Sequence, residues 1–198
     1  PIMAQTRPDD LVVEALRSLR TSLHFGMLDA STNTILFTSA APGAGKSFTA
    51  VNLAAVAAQA GQKVCLVDAD LRKGYLRRFV GKEKGTPGLA ELAREKTLDE
   101  VLIAAPVDGL SVITSGRYPP NPSELLMRSE FEALLKELNT RFDLIIIDSP
   151  PVLAVTDPVV ISRYVGATIM VVRHLETVMG EIEAVRRTFE TAGTKLTG

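Results

Sequence analysis

Ala40-Ala-Pro-Gly-Ala-Gly-Lys-Ser47 stands just after the apolar, β-branched run Thr34-Ile-Leu-Phe-Thr38 and opens the alanine-rich stretch Ser47 to Ala60, which Gly61 ends. Strand, glycine-bearing turn and helix in that order are the setting in which a Walker A pattern, here with alanine for its first glycine, cradles phosphate. Gly43 and Gly45 let the backbone turn so that several N–H groups face one anion, and the helix behind them adds its positive end. Lys46 can then reach the β- and γ-phosphates of a nucleotide, and the Ser47 hydroxyl can ligate Mg²⁺. The expected nucleotide-contacting set is Pro42, Gly43, Ala44, Gly45, Lys46, Ser47 and Phe48. An ordinary strand-to-helix loop of small residues is the bland alternative, and context and spacing together weigh against it.

Outward from this turn, short β-branched runs alternate with longer helical patterns, the signature of βαβ units around a parallel sheet. Strands are expected at Thr34–Thr38, Val64–Val67, Leu110–Thr114, Leu144–Ile147 and Ala167–Val172. Leu144–Ile147 and Ala167–Val172 are apolar without alternation, as strands covered on both faces are. Helices are expected at 11–25, where Leu16, Leu19 and Leu23 share one face, then at Ser47–Ala60, Leu89–Arg94, Leu98–Ile103, Ser123–Asn139 and Thr177–Ala192. One more strand is expected to begin at Lys195–Gly198. The fold expected is α/β: a single P-loop NTPase-like, doubly wound domain with a mostly parallel sheet flanked by helices.

Two acidic clusters end apolar strands. Val64-Cys-Leu-Val-Asp68-Ala-Asp70-Leu-Arg72 places two carboxylates after one strand, and Leu144-Ile-Ile-Ile-Asp148-Ser-Pro-Pro151 places one after another. A buried strand ending in an unpartnered carboxylate is costly, and Mg²⁺ at the strand tips would supply the partner. Either Asp68 or Asp70 alone could instead cap a turn.

Composition narrows the rest. In 198 residues, 22 basic and 23 acidic side chains leave a net charge of −1, which favours neither nucleic acid nor an anionic membrane as partner. The start PIMAQTRPDD lacks the basic and apolar segments of a signal peptide, and no stretch approaches the ~20 apolar residues of a membrane span, so this stretch is expected to be soluble. Cys65 sits in an apolar run and reads as a buried, inert thiol. His24 and His174 are isolated, so no zinc-type site can be assembled.

Walker A at 40–47, the additional acidic motif Val64–Arg72 and the Walker B stretch 144–151 together resemble the bacterial tyrosine kinases that accompany capsular and exopolysaccharide co-polymerases. Glu14-Ala-Leu-Arg17-Ser-Leu-Arg20 resembles that family's Glu-x-x-Arg-x-x-Arg oligomerisation motif, and Asn121-Pro-Ser-Glu-Leu-Leu126 matches a further stretch. The resemblance implies an ATP-dependent protein-tyrosine kinase acting on its own kind between subunits, with ATP and Mg²⁺ as cofactors. It makes Lys46, Asp68, Asp70 and Arg72 the catalytic candidates, Asp70 being the candidate base, and Ser47, Asp68 and Asp148 the metal ligands. Arg72 and Lys73 are left between a transition-state role and a subunit contact.

It further implies a helix at 1–30 that joins subunits through Glu14, Arg17 and Arg20 into a ring, an octamer by family habit, ahead of a kinase domain at 31–198. A membrane activator and the polysaccharide export machinery would be partners, at the cytoplasmic face of a bacterial inner membrane. Relatives end in a further strand and a tyrosine cluster, whereas Tyr75, Tyr118 and Tyr164 here are scattered. Two competing readings are a ParA/MinD-type ATPase, whose signature lysine five residues before Lys46 is replaced here by Ala41, and a nucleotide-dependent assembly module in which catalysis is incidental.

Overall fold

The computed structural model describes residues 1–92 and 94–198. Along the chain, α1 (Met3–Thr6) and α2 (Leu11–Gly26) precede β1 (Thr34–Thr38), α3 (Lys46–Gln59) and β2 (Val64–Asp68). A 3₁₀ turn at Leu76–Val80 leads to α4 (Leu89–Leu92), α5 (Leu98–Val101), β3 (Ile103–Ala104) and β4 (Leu110–Ile113). Then come α6 (Pro122–Leu126), α7 (Ser129–Arg141), β5 (Leu144–Asp148), α8 (Asp157–Ser162), β6 (Ala167–Met170) and α9 (Met179–Thr191).

The six strands lie in the order β3-β4-β2-β5-β1-β6, all parallel except the β3–β4 pair. Side-chain alternation divides them between two cores. Ile35, Phe37, Val64, Leu66 and Ile146 point into the layer made by α1, α2 and α3. Leu36, Cys65, Val67, Ile113, Ile145 and Ile147 point into the layer made by α4 to α8. A sheet packed on both faces explains why β1, β2 and β5 read as unbroken apolar runs. Cys65 is wholly buried, and that burial pushes its thiol well above the ordinary range, so the inert reading stands.

Four expectations need correction. The helix expected over Ser123–Asn139 is two helices, because Arg128 between them is extended (φ −72°, ψ 150°) and breaks the ladder without any proline or glycine to announce it. The helix expected over Leu98–Ile103 stops at Val101, since Ile103 and Ala104 turn back antiparallel onto β4. The helix expected over Leu89–Arg94 is observed to Leu92; Ala93 lies outside the described residues, and Arg94 is in a turn. Ala167–Val172 is strand only to Met170. Residues 197 and 198 do pair with β6, through Thr197 N–H to the Thr168 carbonyl at 2.8 Å and Met170 N–H to the Gly198 carbonyl at 2.9 Å.

The short α1 has little apolar surface of its own and is held by α3. Buried Asn52 accepts from the Ala4 N–H at 2.9 Å and donates to the Phe48 carbonyl at 2.9 Å, while Gln59 donates to the Ala4 carbonyl at 3.0 Å. Asn52→Ala strands a fully buried N–H, so the unfolding free energy in a urea titration is expected to fall by about 1–3 kcal/mol.

Candidate functional site

Adjacency of β1, β5 and β2 fixes the site. Phe37 of β1 is the register partner of Asp148, and Asp148 is the register partner of Asp68. Two carboxylates therefore sit side by side on neighbouring strand tips, roughly one interstrand spacing of 4.8 Å apart. The chain leaving β1 becomes the turn 39–45. Gly43 (φ +85°) and Gly45 (φ +86°) both take left-handed backbone, and Gly45 is the N-cap of α3. A side chain at either would meet nothing within 4 Å, so it is conformation, not space, that demands glycine there.

Lys46 and Ser47 open α3 and both turn onto one carboxylate: the ammonium reaches Asp148 Oδ1 at 2.5 Å and the hydroxyl donates to Oδ2 at 2.6 Å. Asp148 is buried, and burial raises its pKa while the Lys46 charge opposes the rise. Asp68 has no such cation. Its oxygens accept from the backbone N–H groups of Asp70 (3.1 Å) and Leu76 (3.0 Å), yet burial, aided by the Asp148 charge, pushes its pKa up to about 7.

Asp70 is less buried, and one of its oxygens is taken by the turn that follows, accepting from Arg72 N–H at 3.1 Å and Lys73 N–H at 2.8 Å. Pro42, Ala44 and Phe48 line the same turn and the exposed start of α3, with Phe48 40 % exposed.

Ser47, Asp68 and Asp148 thus converge, and all three offer oxygen. Among the described residues no group of three or more His, Cys, Asp or Glu side chains is poised to hold a metal by itself. That donor set fits Mg²⁺, which takes one or two carboxylates and leaves its remaining positions to water and phosphate.

Sequence reasoning missed the partners of Arg72. Its Nε and Nη2 face Asp157 at 3.4 and 3.3 Å, and Asp157, wholly buried at the start of α8, also accepts from Ser123 Oγ at 2.6 Å. The one cue was Thr156-Asp157-Pro158, an acid and a proline where a helix begins. Arg72→Ala leaves that buried carboxylate without its cation; because Arg72 is itself 40 % exposed, a loss of about 1–3 kcal/mol is expected in thermal or urea unfolding, recovered when Asp157→Asn is added. Arg173 was also missed: its guanidinium donates to the Gly43 carbonyl at 3.1 Å and braces the turn.

Glu14, Arg17 and Arg20 lie on α2, away from these strand tips. Arg17 binds Glu14 at 3.0 Å and the Pro8 carbonyl at 3.0 Å, and Arg20 donates to the Val56 carbonyl at 3.4 Å. A cavity of about 490 Å³ beside Arg20 opens at the opposite, amino-terminal ends of the strands, lined by Ile35, Asn139 and Leu144 among others, and includes no residue of the turn 39–45.

The AAA domain family matches residues 32–178. Tyrosine-protein kinase ptk of Acinetobacter johnsonii is 44% identical over 199 residues, covering 100% of this chain and 27% of that protein, so the chain spans about a quarter of the length of this curated relative. The solved BceF tyrosine kinase domain is 47% identical, with a TM-score of 0.92 over 100% of this chain and 80% of that one. The kinase domain of the Escherichia coli tyrosine kinase ETK is 43% identical, with a TM-score of 0.95 over 100% and 78%. The cell division ATPase MinD of Pyrococcus furiosus, 21% identical with a TM-score of 0.67 over 83% and 69%, shares the fold. With this chain matched along its whole length by a solved kinase domain at this identity, and with the glycine turn and strand-tip acids where the fold requires them, the chain belongs to the bacterial tyrosine kinase family.

Proposed function

We propose that this chain is an ATP-dependent protein-tyrosine kinase domain that phosphorylates tyrosines of neighbouring copies and so regulates capsule or exopolysaccharide polymerisation and export. The carrying observation is the convergence of Lys46, Ser47 and Asp148 beside Asp68, on a chain matched along its whole length by tyrosine kinase domains. Phosphoryl transfer asks the protein mainly for positioning and charge neutralisation. The N–H groups of residues 43–47 and the Lys46 ammonium bind the phosphates, exchanging the Asp148 contact for the γ-phosphate. Ser47, Asp68 and Asp148 would hold Mg²⁺, which would supply charge neutralisation at the phosphates. Asp70, tethered to its turn through one oxygen, orients the acceptor hydroxyl with the other.

The ring joined through Glu14, Arg17 and Arg20, the activator in the membrane and the export machinery belong to the same proposal, as does a place at the cytoplasmic face of the inner membrane. The division into a joining helix at 1–30 and a kinase domain at 31–198, continued by a further strand and a tyrosine-rich tail, belongs to it too. No helix among the described residues is long and apolar enough to cross a membrane. Incubating the full-length protein with radiolabelled Mg-ATP and analysing its phosphoamino acids tests the reading. Phosphotyrosine is expected; ATP turnover without it would favour a MinD-type ATPase, a reading that Ala41 in place of that class's lysine disfavours.

A further inference from the structure

Between Arg72 and Lys84 the chain carries six cations, Arg72, Lys73, Arg77, Arg78, Lys82 and Lys84, against one acid, Glu83, although its overall charge is only −1. This segment leaves the carboxyl end of β2 just beyond Asp68 and Asp70. It folds back against the loop after β4, where the Lys84 ammonium stands 5.3 Å from the centre of the Tyr118 ring and the Tyr118 hydroxyl donates to the Gly74 carbonyl at 3.4 Å. The cations therefore form a belt along the rim of the carboxylate cluster.

A run of like charges is ordinarily a solvated face relieved by nearby acids. Here the relief is missing. Of the six, Arg72 alone enters an ion pair among the described residues. Lys73, Arg78, Lys82 and Lys84 are exposed, and Arg77 Nε is shut from solvent with no acceptor. The acids of the site are otherwise engaged: Asp148 with Lys46 and Ser47, Asp68 and Asp70 with backbone N–H groups. Two half-exposed rings are interleaved with the charges, Tyr75 beneath Arg78 at 4.6 Å and Tyr118 beneath Lys84.

Position separates this belt from the nucleotide. It grows from β2, which β5 separates from β1 and its phosphate turn. In-line transfer brings the attacking hydroxyl from the side opposite the leaving phosphate chain. The belt begins at Arg72 and Lys73, whose N–H groups hold Asp70, the residue read above as facing the acceptor hydroxyl, and unrelieved cations there concentrate anions and speed their encounter. Resting on the kinase reading above, we infer that the belt formed by Arg78, Lys82 and Lys84 with the Tyr75 and Tyr118 rings is the acceptor-docking surface, and that the segment it takes is an acidic peptide with its tyrosine flanked by glutamate or aspartate.

Two synthetic peptides test this, one with a tyrosine flanked by glutamates and one with the same tyrosine flanked by lysines. With wild-type protein and Mg-ATP, kcat/KM for the acidic peptide is expected to exceed that for the basic one by ~10-fold or more, the margin shrinking as salt is raised. In the triple variant Arg78→Glu, Lys82→Glu, Lys84→Glu the margin should vanish or reverse while KM for ATP stays within ~2-fold, a split that general damage to the fold would not give. Anisotropy of the labelled acidic peptide, measured with Mg-ADP present, should show binding to wild type and its loss in the triple variant. Equal kcat/KM for both peptides in wild type, or an equal rise in the KM of peptide and ATP in the variant, overturns the inference and leaves the kinase reading standing. ATP turnover with neither peptide phosphorylated overturns both.

Discussion

Lys46→Met is expected to lower ATP-dependent tyrosine phosphorylation by about 10³-fold or more, the range that loss of one cation aimed at a transferring phosphoryl group produces. Methionine keeps most of the length and the apolar stem and removes the charge. The measurement is phosphotyrosine formed per unit time at saturating Mg-ATP, with circular dichroism to show that helix content is retained. Activity within ~10-fold of wild type would remove Lys46 from the phosphate site and with it the proposed function.

The same substitution has a second consequence that distinguishes this geometry from a lysine merely dangling at a loop. Lys46 is the cation that faces buried Asp148, at 2.5 Å. Removing it takes away the force that opposes the burial-driven rise in the Asp148 pKa, so the carboxyl is expected to take up a proton at higher pH in the variant than in wild type. Lys46→Met should therefore lose more stability at alkaline than at mildly acidic pH, and Asp148→Asn added to it should flatten that difference.

How much of this was legible in the sequence depends on which force set each feature. Thr34–Thr38, the turn through Gly43 and Gly45, and the acids at 68 and 148 were readable because local chemistry dictates them: burial on both faces, left-handed backbone, carboxylates ending apolar strands. The break at Arg128 was not, since the residue is compatible with helix and only the packing of α6 against α8 turns the chain there. The two-residue β3 was too short to carry any period. Asp157 escaped because its importance comes from a partner 85 positions away, Arg72, and from Ser123 on another helix. Sequence reasoning left Arg72 between a transition-state role and a subunit contact; the structure shows it held within its own chain.

The other large effect is a pH dependence, and Asp68 sets its sign. The folded pKa of about 7 lies above the ordinary 3.8 of an exposed aspartate, so the folded state binds a proton that the unfolded state has already released. Stability from this group is complete below about pH 4, declines as pH rises towards 7, and is absent above that. Burial is the leading cause and Asp148 the second, so Asp68→Asn, which cannot ionise, should gain on wild type across that window. Between pH 5 and 7.5 in chelator-treated buffer, the difference in urea unfolding free energy between variant and wild type is expected to move by about 2 kcal/mol in the variant's favour. Mg²⁺ with ADP should narrow or reverse the ranking above pH 7, because the proposed metal site uses the ionised Asp68 carboxylate, which the variant lacks, so the ligand is expected to stabilise wild type more than the variant. A variant-to-wild-type difference that does not change with pH would mean that Asp68 is already ionised in the fold.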